Sequence, residues 1–196
     1  MHRKGIIAYY GVPQCQQTKI IDVTEGIVGG CMVRYDLCVG ACIEYKVRKK
    51  SSRVFFDEID LVAWPTLLTV DTLLLLHQSL EICLYCMPQG SVADGVFEHI
   101  MYLYEKCPAI FDNSALFKKI FLCKLFALLG LHPHDTRFRD QFFEHLVSKS
   151  FDNLWYQPAI IADEREIDRW LMVCIASHVP LCRLKAMQLD KLIGVV

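Results

Sequence analysis

The feature that most narrows the fold is a change of hydrophobic period near residue 60. Before it, "ACIEYKVR" (41–48) alternates strictly. Ala41, Ile43, Tyr45 and Val47 share one side, and Cys42, Glu44, Lys46 and Arg48 the other, the period-2 pattern of a half-buried strand. "RKKSSR" reads as a charged hairpin turn and "VFFDEIDLVA" as the returning strand. "GIIAYYG", "KIIDV" and "CMVRY" read as further short strands, whereas "GGC" at 29–31 reads only as a turn. A small, all-β, barrel-like unit is predicted.

From about Trp64 the period becomes helical. "TVDTLLLLHQSLEICLYCM" runs into Pro88-Gln89-Gly90, a stop signal. "SVADGVFEHIMYLYEKC" predicts a second helix, with Ser91 as its N-cap and Val96, Ile100, Leu103 and Tyr104 on one stripe. Between Ala115 and Leu129 the only charges are Lys118, Lys119 and Lys124, so this helix should be covered on nearly all sides and lie centrally. Gly130 then serves as a left-handed cap and Pro133 blocks continuation. "TRFRDQFFEHLVSK", "DEREIDRWLMVCIAS" and "RLKAMQLDKLI" complete the helical set. The fold class is therefore α+β, with a β unit over residues 1–62 and an all-α domain over 63–196.

A chain of 196 residues, 54% hydrophobic, can bury a substantial core. The first apolar stretch, "GIIAYYGV", is short and no small-residue cleavage site follows it; the leucines Leu73 to Leu76 fall far short of a membrane span. A soluble cytoplasmic protein without membrane partners is expected, and its ten cysteines, several inside apolar runs, should be thiols. The overall charge of −1 hides an asymmetry. Residues 1–56 hold nine Lys and Arg against four acids, a net of +5, and the remainder carries −6. A basic front on an acidic body suggests a polyanion-binding module.

Motifs for catalysis are weak. "CLYC" (83–86) lacks the second pair that zinc needs and the βαβ setting of a redox motif. His132 and His134 have no cysteine nearby, so a loop role is preferred to a metal site. "DERE" (163–166) and Asp168 fall in the first turns of a helix, where acids complement the dipole. No phosphate loop, nucleophile elbow or HExxH occurs. Neither an enzyme nor a cofactor is expected. The basic set Arg3, Lys4, Arg34, Lys46, Arg48, Lys49, Lys50 and Arg53 clusters in the β unit with Tyr9, Tyr10, Tyr35 and Tyr45. Cations on phosphates, with aromatics for unstacked bases, would hold a single strand. The competing explanation is a solvated hairpin whose charges protect a sheet edge, on a helical adaptor that does not bind DNA.

The segment from "FEHIMYLYEK" through "FKKIFLCKLFALLGLHP" resembles the RecO family of bacterial recombination mediators, in a helix ending at a Gly-hydrophobic-x-Pro corner. Phe121, Lys124, Leu125, Leu129, Gly130 and Pro133 match that pattern, and Pro180, Leu184, Lys185 and Leu189 match the family's closing helix. "HRKGIIAYYGVPQ" resembles its third barrel strand, and "DLCVGACIEYKV…VFFDEIDLVA" its last two. The resemblance implies an OB-like barrel whose first two strands lie upstream of Met1, leaving an open edge. Residues 134–156 contain no cysteine, which resembles the zinc-free branch. It also implies a nucleoid-associated DNA repair and recombination protein. Such a protein binds single- and double-stranded DNA, anneals strands, contacts the tail of single-strand-binding protein, and loads RecA with RecR. An acidic tail would want a hydrophobic pocket with a cationic rim, for which Lys118, Lys119 and Lys124 are candidates; the alternative is solvated positions on a core helix.

Overall fold

The structure, a computed structural model, describes residues 2–11, 17–32, 36–105, 115–133 and 164–178, with Glu144, Leu146, Ser148 and Ser150. Most of "TRFRDQFFEHLVSK" and all of "RLKAMQLDKLI" lie outside the described residues, as do Arg34, Tyr35 and His134. The chain divides into two compact units, Met1–Ala109 and Ile110–Val196.

The first unit opens with five strands, β1 (Arg3–Tyr10), β2 (Gln17–Asp22), β3 (Gly26–Met32), β4 (Cys42–Lys50) and β5 (Arg53–Ala63). They form a closed OB-like barrel in the order β1-β2-β3-β5-β4, with β1 pairing back onto β4 and only β3–β5 parallel. The missing hairpin expected from the resemblance is therefore not needed. "GIIAYY" lies in β1, and the strands within residues 3–63 close the barrel without an open edge.

Closure depends on Gly5, which pairs with Asp22 on one side and Ile43 on the other. A Cβ there would sit 2.3 Å from the Ile20 side chain and 2.9 Å from the Ile21 carbonyl oxygen. "GGC" is likewise not a turn but lies within β3. A Cβ on Gly30 would strike the Phe56 ring at 2.8 Å, so glycine serves close packing here rather than chain reversal.

The barrel interior holds Ile7, Ile20, Met32, Leu37, Ala41, Ile43, Tyr45 and Phe56. Tyr45 and Phe56 meet edge to face, with ring centroids 5.2 Å apart. The alternation of β4 holds for Ala41, Ile43 and Tyr45 but fails at Cys42, which is fully buried on the supposedly polar side. The reason is a second apolar layer. Ile6, Ile21 and Cys42, in register on the outer surface, are also buried. Helices α1 (Val70–Cys86) and α2 (Val96–Glu105) pack on this side. Gly26 backs onto Ser91, Gly90 N–H donates to Ile27 O at 3.2 Å, and Tyr104 O–H donates to Gly40 O.

Thr69 caps α1 by accepting from Thr72 N–H at 3.3 Å. Ser91 is not the cap of α2, which starts five residues later. Its N–H closes a turn onto Pro88 O, and Gly95, at φ +79°, provides the chain reversal before Val96.

In the second unit, α3 (Ala115–Leu128) and α4 (Glu164–Ser177) pack together, with Phe126 and Trp170 rings 6.4 Å apart. As its composition predicts, α3 is buried nearly all round, from Lys119 through Ala127 without a break. Gly130, at φ +70°, ends it in a Schellman motif, with Leu131 N–H to Phe126 O and Gly130 N–H to Ala127 O.

Candidate nucleic-acid interface

The β4–β5 hairpin collects five of the eight predicted DNA-contacting residues. Beyond Tyr45, β4 pairs only with β5, so the hairpin runs past β1 to a Ser51-Ser52 turn. Lys46 faces Asp57, Arg48 faces Phe55, and Lys50 faces Arg53. These pairs share the outer face, while Val47, Val54 and Phe56 pack inward.

The cations are not equivalent. Arg48 is bound by Asp57 through Nε and Nη2, and Lys46 by Glu58. A bulge after Asp57, with Glu58 at φ +45°, turns that carboxylate toward Lys46. Arg48 holds the Asp57 carboxyl below its ordinary value, and Lys46 does the same for Glu58. At the tip, Lys49, Lys50 and Arg53 are exposed and have no carboxylate partner among the described residues. Paired cations release fewer counterions on meeting a phosphate, so the tip is the stronger electrostatic element.

Arg3 and Lys4 belong to another environment. Arg3 aligns with Tyr45, five residues or roughly 17 Å from Lys50 along β4. Its Nη1 lies 2.6 Å from Glu25 Oε2. Lys4 sits over Phe97 of α2, 6.0 Å from the ring centroid.

The tyrosines also separate. Tyr9 is exposed and Tyr10 packs partly against the core, but Tyr45 is wholly inside and cannot meet a base. Tyr45 O–H donates to Asp22 Oδ2 at 2.5 Å, and burial pushes its pKa up, with the Asp22 bond adding to the effect. Asp22, which the sequence patterns did not single out, also accepts from Thr24 N–H, Thr24 O–H and Glu25 N–H at 2.7–2.9 Å. This network fastens the β2–β3 turn to the barrel floor.

The proposed cationic rim on α3 takes a different form. Lys119 and Lys124 are neither rim nor solvated, being 4% and 6% exposed. Lys119 Nζ lies 2.9 Å from Glu164 Oε1 and 2.7 Å from Asp168 Oδ1. Those carboxylates thus tie α4 to α3 beyond any effect on the helix dipole. Burial acts to lower the Lys119 pKa, but the two carboxylates outweigh it and raise the value. Lys124 donates to Leu146 O, and burial lowers its pKa. Lys118 alone of the three is partly exposed.

At "CLYC", burial drives Cys83 well up and Cys86 to about 11, the reverse of a reactive thiol. His132 is exposed beside Gly130 O, and no cluster of metal-ligating side chains occurs among the described residues. No helix among them is long and apolar enough to cross a membrane.

No protein-family model matches the chain, and no curated protein matches it in sequence.

Proposed function

We propose that this chain is a non-enzymatic, DNA-binding recombination mediator of the RecO kind, active in DNA repair in the cytoplasm at the nucleoid. The observation that carries this reading is the cationic tip Lys49, Lys50 and Arg53 on the arm of an OB-like barrel. Two complementary strands repel through their phosphates, and a surface that neutralises part of that charge lets them meet. No bond is broken, so the task requires no catalytic group. RecR, RecA loading and the tail of single-strand-binding protein enter through the resemblance alone. On α3, Lys118 is the candidate best placed to meet such a tail.

The test is fluorescence anisotropy of a labelled single strand at low and moderate salt, followed by addition of the complement to score annealing. Binding should weaken as salt rises, and annealing should accelerate. Lys49→Glu with Lys50→Glu should weaken binding and flatten the logarithmic salt slope by about 1.4, two single-strand phosphates at ~0.7 each. Unchanged affinity in that variant would refute the placement of the site.

A second reading, a protein-interaction adaptor, is favoured by exposed apolar side chains in and before α1. Leu67 and Val70 are 77% and 84% exposed, and Leu74 follows one turn later. Absence of any salt-dependent DNA binding would favour the adaptor.

A further inference from the structure

One large aromatic on the hairpin has no part in the core. In "RVFFD", Val54 and Phe56 point into the barrel, and Phe55 stands partly exposed on the outer face, opposite Arg48 of β4 and Cys31 of β3. Alternation would suit a polar residue at this position. The Arg48 guanidinium lies over the ring, its central carbon 5.3 Å from the centroid. Asp57 grips the same guanidinium through two nitrogens, which holds its plane. Two residue pairs nearer the turn, Lys50 and Arg53 face each other on the same surface, about 6.7 Å further along the strand.

We infer that the Arg48–Phe55 stack is a platform for one unstacked base of a single strand, with Lys50 and Arg53 holding the adjacent phosphate. This rests on the DNA-binding reading above and gives it a ligand class. A flat ring backed by a fixed guanidinium presents π surface at low entropic cost, and every base has a face to offer it. The step between the two cross-strand pairs is close to one nucleotide of a stretched strand. Bases inside a duplex are already stacked on each other, so the platform discriminates for single strands and not for sequence. The tip cations would serve either form of DNA.

The test uses the full chain and three labelled probes: an oligothymidine, an abasic strand of equal length, and a duplex. Phe55→Leu keeps an apolar side chain but removes the π face. It should weaken oligothymidine binding about tenfold. Abasic and duplex affinities should stay within about twofold, and the salt slope should not change because no charge is lost. Phe55→Trp should restore binding, and its added indole emission should be quenched by oligothymidine and not by the abasic strand. An equal loss on all three probes would mean that Phe55 acts through folding, and would overturn the inference. So would undiminished oligothymidine binding by Phe55→Leu. If the unaltered protein binds none of the probes, the DNA-binding reading itself falls, a result that differs from both.

Discussion

Two lysines five residues apart on one buried helix should respond very unequally to the same substitution. In Lys119→Met the stem is retained and the ammonium lost. Glu164, 54% exposed, can rehydrate, but the Asp168 Oδ1 atom is closed to water and has no other hydrogen-bond partner among the described residues. Breaking a fully buried ion pair costs about 3–5 kcal/mol, and with one carboxylate free to reach water about 2–3 kcal/mol is expected. Lys124→Met gives up a hydrogen bond to Leu146 O but removes a charge whose burial lowers its pKa. Those contributions oppose each other, so the net change should lie within about 1 kcal/mol of zero.

The pH response separates them further. Below about pH 10.5, where lysine is protonated in the unfolded chain, Lys119 contributes its full stabilisation; this is lost only as pH rises through its raised folded value. For Lys124 the folded value is depressed, so the unfolded chain binds more protons in the window below about 10.5, and stability rises with pH across that window. The assay is urea unfolding of each variant at pH 7.5 and 9.5, followed by tryptophan emission, to which Trp170, packed on α3 beside Phe126, contributes. Lys124→Met should lose part of the parent's gain between the two pH values, and Lys119→Met should keep it. Equal destabilisation by both substitutions, or a greater loss at Lys124, would refute the electrostatic argument.

Other outcomes follow from the same geometry. Glu58→Gln should free Lys46, tighten single-strand binding, and steepen its salt slope by up to about 0.7; weaker binding would show that this pair builds the site instead of masking it. Gly5→Ala should destabilise the protein by about 3 kcal/mol, since the added carbon meets a backbone carbonyl that cannot rotate away. A denaturation midpoint equal to the parent's would contradict the close crossing at Gly5. Raised thiol values mean little thiolate at pH 8, so Cys83 and Cys86 in the native protein should react with a disulfide reagent far more slowly than in urea. Fast native labelling at those two positions would exclude the packing described for α1.

Much was legible in the order of residues because it depends on near neighbours. Period-2 alternation marked β4, the hairpin reading marked β5 as the returning strand, and the charged turn between them fell at Ser51-Ser52. The unbroken apolar run with Gly130 and Pro133 marked α3 and its end. Both features rest on local periodicity and on backbone conformations that few residues adopt. The segregation of strands from helices, and the concentration of positive charge in the strands, follow from the same reading.

Tertiary structure decided which of those faces meets what. A period states that Cys42, Glu44, Lys46 and Arg48 share a side, but not that α1 and α2 cover one end of that side and leave the other open. Barrel closure depends on Gly5 admitting β2 and β4 at once, a contact between residues up to 38 positions apart in the chain. Charge identity likewise marked Lys46, Arg48 and Lys119 as available cations. The register of β5, its bulge at Glu58 and the approach of α4 supplied each with a carboxylate. Tyr45, expected among the aromatics open to a base, points into the barrel, while Phe55, which the pattern did not single out, points out of it. Hydrophobic pattern is a local property of the chain, whereas burial and charge pairing are properties of surfaces that distant segments bring together, and only the folded arrangement determines them.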